Sequence, residues 1–176
     1  AWPGRLEVVM GDALEIDAAT LGEAPRRIVA NLPYNVATPL LIGWLKRIDD
    51  YASLTLMFQK EVAQRLVARP RDAAYGRLAV LTQWACEAKL VFDIPASAFV
   101  PPPKVTSSVV HLRPRPIRES VDVVLLERVT QAAFGQRRKM LRQSLKSLGV
   151  DPAALLQACA IAPEKRAEEL DVGQFC

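Results

Sequence analysis

Through the first two-thirds of the chain, apolar residues alternate with polar ones or run together in short blocks. After about residue 116 they recur every three or four positions. Leu6-Glu7-Val8-Val9-Met10 reads as a strand that ends at Gly11-Asp12-Ala13-Leu14, and residues 26–30 read as a second, closing on Asn31-Leu32-Pro33-Tyr34. A helix follows over about 39–47, with Pro39 suited to its first turn. A third strand spans 54–58 and leads into a helix at 60–67; a polar loop at 69–75 precedes a helix at 76–86. Two more strand-like runs, 88–94 and 107–113, flank a loop holding Phe99-Val100-Pro101-Pro102-Pro103-Lys104, where three successive prolines fix a stiff, extended path. Strands alternating with helices predict an α/β unit with a parallel sheet and crossovers. Helical periodicity then takes over at 121–134, 139–148, 152–159 and 163–170. The change falls at Arg113-Pro114-Arg115-Pro116, which divides the chain into a partial α/β domain over 1–115 and a small all-helical domain over 116–176.

Composition narrows the function. Half of the 176 residues are apolar and 24% charged, and no apolar run approaches the length that spans a bilayer. Cys86, Cys159 and Cys176 are odd in number and widely spaced, so neither a disulfide framework nor a zinc site is expected, and a reducing, cytoplasmic setting is. A single histidine, His111 in an alternating run, argues against most metal sites and against Ser-His catalysis. Trp2, Trp44, Trp84 and the methionines read as core or rim packing.

The net charge of +4 is unevenly placed: residues 104–146 hold ten Lys/Arg against three acids, a net of +7, so the rest is acidic. In that stretch Arg138, Arg142 and Lys146 recur at four-residue spacing beside an apolar stripe of Leu141, Leu145 and Leu148, with Arg137 and Lys139 alongside. Such a face can grip phosphates without reading bases; equally, unbalanced charge on a solvated helix face is common.

Chemistry concentrates at the strand ends. Asn31, Pro33 and Tyr34 put an amide, a stiff proline and an aromatic at the carboxyl rim of the second strand, where open α/β sheets bind ligands. An amide acceptor beside a stacking ring suits an extruded purine whose amino group is to be modified; an ordinary Asn-Pro turn explains the same four letters. Asp12, on the rim that the first strand should share with the second, can accept from an exocyclic amine or cap a turn. Phe99 either packs in the core or supplies the second wall of a base sandwich with Tyr34.

Taken together, Gly11-Asp12-Ala13-Leu14, Asn31-Leu32-Pro33-Tyr34-Asn35, Gln59-Lys60-Glu61-Val62-Ala63-Gln64-Arg65-Leu66, Tyr75-Gly76-Arg77-Leu78, Phe99-Val100-Pro101-Pro102-Pro103-Lys104-Val105 and Ala133-Phe134-Gly135-Gln136-Arg137-Arg138-Lys139 make the chain resemble a known family. It is similar, nearly end to end, to the bacterial small-subunit ribosomal RNA adenine N6,N6-dimethyltransferases, the KsgA family. The resemblance implies a class I, Rossmann-like methyltransferase sheet using S-adenosylmethionine and acting on immature small ribosomal subunits. It assigns Asp12 and Ala13, with Asn31, to the cofactor, and Asn31 with the Leu32 carbonyl to the N6 of the target adenine. Pro33 completes that tetrad, Tyr34 and Phe99 stack on the base, and Lys104, Arg137, Arg138, Lys139, Arg142 and Lys146 meet RNA.

The family's glycine-rich cofactor loop, its acidic ribose ligand and an N-terminal Gly-Gln-Asn-Phe-Leu segment have no counterpart in this sequence. The chain is therefore expected to be a fragment that begins before the third strand of the family's sheet and stops inside the last helical region. Such a fragment should bind the cofactor weakly, transfer little, and self-associate through exposed sheet edges. Three rivals share parts of the pattern: the macrolide-resistance large-subunit rRNA methyltransferases, the DNA adenine methyltransferases, and a non-catalytic RNA-binding assembly factor. The proline loop and basic helix fit the small-subunit enzymes better.

Overall fold

A computed structural model describes residue 4 and residues 6–176, apart from the side chain of Tyr34. Trp2 lies outside the described residues. Strands β1 (Arg26–Asn31), β2 (Tyr51–Gln59), β3 (Cys86–Ile94) and β4 (Ser107–Pro114) form one sheet in the order β1-β2-β4-β3. Between β1 and β2 runs α1 (Tyr34–Lys46), and between β2 and β3 run α2 (Lys60–Val67) and α3 (Arg77–Ala85).

Only β1 and β2 are parallel; β4 pairs antiparallel with both β2 and β3. The sheet is thus mixed where element alternation predicts a parallel one. The reason is that no helix separates β3 from β4, so the 95–106 loop returns the chain antiparallel, between β2 and β3.

Alternation along the strands sets one buried face. Ile28 and Ala30 of β1, Leu54, Leu56 and Phe58 of β2, and Val110 and Leu112 of β4 join Leu41 and Leu45 of α1, Ala63 and Leu66 of α2, and Val80 and Leu81 of α3 in the core. Residues between them point the other way, where Val29 is 80% exposed and Val91 and Phe92 are also exposed. Thr55 and His111 hydrogen-bond across this open face at 2.9 Å, which gives the one histidine a structural partner.

Three expectations in the first half of the chain are corrected. Residues 6–10 form no strand, and Leu6, Val8, Val9 and Met10 are exposed. An apolar run becomes a strand only with a ladder partner, and among the described residues β1 is the sheet edge on that side. Helix α1 starts at Tyr34, not near Pro39, because the Pro33 carbonyl already accepts from Val36 and Ala37 N–H, both at 3.1 Å. Pro39 therefore sits inside the helix, where its missing N–H leaves the Asn35 carbonyl without an i+4 donor. Finally, Cys86 ends α3 by opening β3.

The last third holds α4 (Val123–Gly135), α5 (Leu141–Ser144) continuing as a 3-10 turn over Leu145–Leu148, α6 (Pro152–Ala158) and α7 (Val172–Phe175). Asp122, Asp151 and Asp171 cap α4, α6 and α7 with their side chains. The helix expected at 139–148 begins only at Leu141, and the one expected at 163–170 is a 3-10 turn at Ala167–Glu169. Backbone pairing explains both: Met140 bridges Arg166, Leu141 N–H donates to Lys165 and Arg142 N–H to Pro163, holding those segments extended.

The core continues from the sheet into these helices through Leu126, Ala133, Leu141, Leu145, Leu156, Leu170 and Phe175. Tyr75 meets Phe134 edge-on at 5.8 Å, Phe134 lies 5.5 Å from Phe175, and the buried Tyr75 hydroxyl donates to the Leu170 carbonyl at 2.9 Å. Burial pushes the Tyr75 phenol far above its usual range, so it stays a donor.

Candidate functional site

Two of the expected site segments reach one rim of the sheet. Asn31 ends β1 opposite Met57 of β2, two residues before β2 ends at Gln59. On the far side of β2, β3 ends and β4 begins, so the loop carrying Phe99 and Lys104 leaves from the same rim. The two segments are separated by two strand spacings, roughly 10 Å. Asn31 is exposed and shares the open-face direction of Val29, while Leu32 is buried in the core and fixes the turn. Pro33, exposed, forms the N-cap of α1, so the segment passes from strand to helix within two residues. Phe99 is half-buried after a 3-10 turn at Ala96–Ala98, and Lys104 is exposed.

Below the rim the open face forms a depression of about 430 Å³, lined by Val29, Asn31, Met57, Phe92, Val109 and His111 among others. A bulge in β3 shapes it: Leu90 pairs with Val110 and Phe92 with Val109, leaving Val91 as the extra residue.

Asp12 and Ala13 are exposed in a turn, where the Asp12 carboxylate accepts the Leu14 N–H at 2.9 Å and its carbonyl accepts from Glu15 and Ile16. Because residues 6–10 pair with no strand, no ladder carries Asp12 to the rim beside Asn31, contrary to the expectation that both end neighbouring strands. What ties this segment down is Asp17, which caps a 3-10 turn and accepts from the Arg47 guanidinium at 2.6 Å. That guanidinium holds the Asp17 carboxyl below the usual carboxylate range.

The basic residues divide into two groups. Arg138, Lys139, Arg142, Lys146 and Lys104 are exposed. Arg137 instead bonds inward with all three nitrogens: to Glu168 at 2.8 Å, the Tyr75 carbonyl at 2.7 Å and the Asp72 carbonyl at 3.1 Å. Arg115 and Arg118 are likewise committed, the first to the Gln83 carbonyl and the second to Asp49 and the face of Trp84.

One pair at the rim was not singled out from sequence. Lys60 Nζ donates to Asp93 Oδ2 at 2.6 Å, and Ser108 donates to Asp93 Oδ1 at 2.6 Å. These bonds, that of Lys60 first, hold the Asp93 carboxyl below its usual range. The partners are 33 residues apart and no local spacing reveals them. Among the described residues, no cluster of His, Cys, Asp or Glu could hold a metal and no helix is long and apolar enough to cross a membrane.

Structural neighbours place this mixed α/β sheet among Rossmann-like methyltransferase folds. A dimethyladenosine transferase from Plasmodium falciparum superposes with a TM-score of 0.83 at 26% identity, covering 98% of this chain and 70% of that one. The 23S rRNA methyltransferase ErmE, at TM-score 0.64 and 23% identity over 96% of this chain and 68% of its own, shares the fold. A family model for ribosomal RNA adenine dimethylase matches residues 3–176, and the chain belongs to that family. The ribosomal RNA small subunit methyltransferase A of Xanthobacter autotrophicus is 62% identical over 99% of this chain and 62% of its own length. The chain thus spans somewhat under two-thirds of the curated relatives it matches.

Proposed function

We propose that this chain carries the adenine-binding and RNA-binding parts of an S-adenosylmethionine-dependent small-subunit rRNA adenine N6,N6-dimethyltransferase, working in the cytoplasm on immature small subunits. The observation that carries the reading is the shared rim: the Asn31-Leu32-Pro33-Tyr34 turn and the Phe99 loop open on the same end of the sheet, in a member of this family. The Asn31 side-chain oxygen and the Leu32 carbonyl accept the N6 hydrogens of an extruded adenine and turn its lone pair outward. Phe99 and Tyr34 stack on the ring. Catalysis is alignment for in-line attack with electrostatic support, and no covalent enzyme intermediate is needed. The methylated amine is acidic enough to lose its proton to water, so the rim needs no strong general base.

The cofactor supplies an electrophilic methyl group when bound. Asp12 and Asn31 are exposed and offer side-chain acceptors to its site, and the exposed Ala13 offers only its backbone. Their fit is partial: Asp12 already accepts the Leu14 N–H and stands on a segment outside the sheet. Calorimetry on this chain is therefore expected to show weak binding of S-adenosylmethionine, or none. A Kd in the low micromolar range would overturn that partial assignment.

The open face and the position of β1 at the sheet edge among the described residues support self-association of the chain. Sedimentation at rising concentration should show a dimer or larger species, and a strictly monomeric profile would refute it. Transfer of labelled methyl groups to immature small subunits tests the whole reading. It should succeed once this chain is joined to the unmatched portion of the Xanthobacter relative, and failure with a folded chimera would sink it.

A further inference from the structure

The loop that brings Phe99 to the rim, residues 95–106, is rooted at both ends by one residue of the neighbouring strand end. Lys60 is the first residue of α2, directly after β2. Its backbone N–H donates to the Thr106 carbonyl at 2.9 Å, the loop's exit, and its Nζ donates to Asp93 at 2.6 Å, just before the loop's entry. Ser108 holds the other Asp93 oxygen. The β3 bulge makes this possible. Were the register of Leu90 with Val110 to continue without a bulge, Asp93 would pair with Ser107, and its side chain would turn to the open face. With it, Asp93 pairs with Ser108 and turns towards Lys60.

The loop is stiff enough to pass this constraint on. Ala98 and Phe99 N–H groups donate to Pro95 and Ala96 carbonyls, and Pro101-Pro102-Pro103 follow. Five residues separate Asp93 from Phe99, and three of them, Ala96–Ala98, form a hydrogen-bonded turn.

We propose that Lys60 is a positioning residue that staples the Phe99 loop to the end of β2, and so sets the distance between Phe99 and Asn31 across the rim. This rests on the adenine-clamp reading above. The pair is half-exposed, with side-chain accessibilities of 47% and 46%, so it adds little to global stability. Its effect is local order.

Hydrogen–deuterium exchange on the intact chain reads that order without any substrate. In Lys60→Met, the Ala98 and Phe99 amides should exchange roughly fivefold to tenfold faster. Amides of β2 and β4 should keep their rates. Lys60→Arg should restore most of the protection, and Asp93→Asn, approached from the other partner, should repeat the loosening. Unchanged loop exchange in both Lys60→Met and Asp93→Asn would overturn the proposal, as would an equal rise across β2 and β4. If the adenine reading is wrong, this readout is unaffected; that failure appears instead as full methyl transfer by an Asn31→Ala chimera.

Discussion

Asn31→Ala, made in this chain joined to the unmatched portion of its Xanthobacter relative, is expected to lower methyl transfer by about 100-fold to 1,000-fold, with RNA affinity unchanged. That is the usual loss when one preorganised polar contact to a reacting group is removed. The position argues that the loss will be chemical and not structural. Asn31 is the last residue of the edge strand and its side chain is exposed, whereas the adjacent Leu32 carries the packing. Exposed substitutions of this kind usually shift stability by no more than about 0.5 kcal/mol. If Asn31 were only the start of an Asn-Pro turn, its removal would leave transfer intact, because Pro33 already fixes the entry to α1. Transfer rates measured beside RNA binding and a melting curve separate the two roles; full activity in the variant would refute the assignment.

Local pattern made much of this fold legible, and its failures have identifiable causes. The helix at 60–67 was readable to the residue because its apolar and polar positions follow helical spacing and it begins where β2 ends. The strands at 54–58 and 107–113 were readable in type, from Leu54, Leu56, Phe58, Val110 and Leu112 on one buried face, although β2 runs further, from Tyr51 to Gln59, and buries Met57 as well. Register on β3 was not, because Leu90-Val91-Phe92 is apolar throughout and offers no alternation to locate a bulge. The run at 6–10 looked like a strand from composition alone; whether it becomes one depends on a partner that composition does not reveal. At 163–170 a helical pattern yielded to long-range backbone bonds with residues 140–142, a tertiary override of local preference.

The site divides in the same way. The Asn-Leu-Pro-Tyr turn and the proline loop stood out as motifs, yet their shared rim depends on the antiparallel insertion of β4, and Lys60 enters only through that geometry.

The basic residues give the second large effect, because they differ in what they hold. Arg138, Arg142 and Lys146 are exposed around the start of α5 and the 3-10 turn that follows, while Leu141 and Leu145 bury the opposite side. Replacing all three by Ala should weaken binding of small-subunit RNA by about 10-fold to 1,000-fold at moderate salt. It should also reduce the slope of log affinity against log salt by about 2 to 3, since each phosphate contact contributes roughly 0.7 to 0.9. Stability should stay within about 0.5 kcal/mol. Arg137→Ala should show the reverse pattern. It releases the Tyr75 and Asp72 carbonyls and leaves Glu168 without its partner, between the sheet part and the helical part. With the guanidinium partly exposed, a loss of about 1–3 kcal/mol in urea unfolding is expected, and the salt slope of RNA binding should not change. Adjacent arginines in one Arg-Arg-Lys run would then separate by experiment into a fastener and a phosphate contact. A lowered salt slope in Arg137→Ala at unchanged stability would reverse that division.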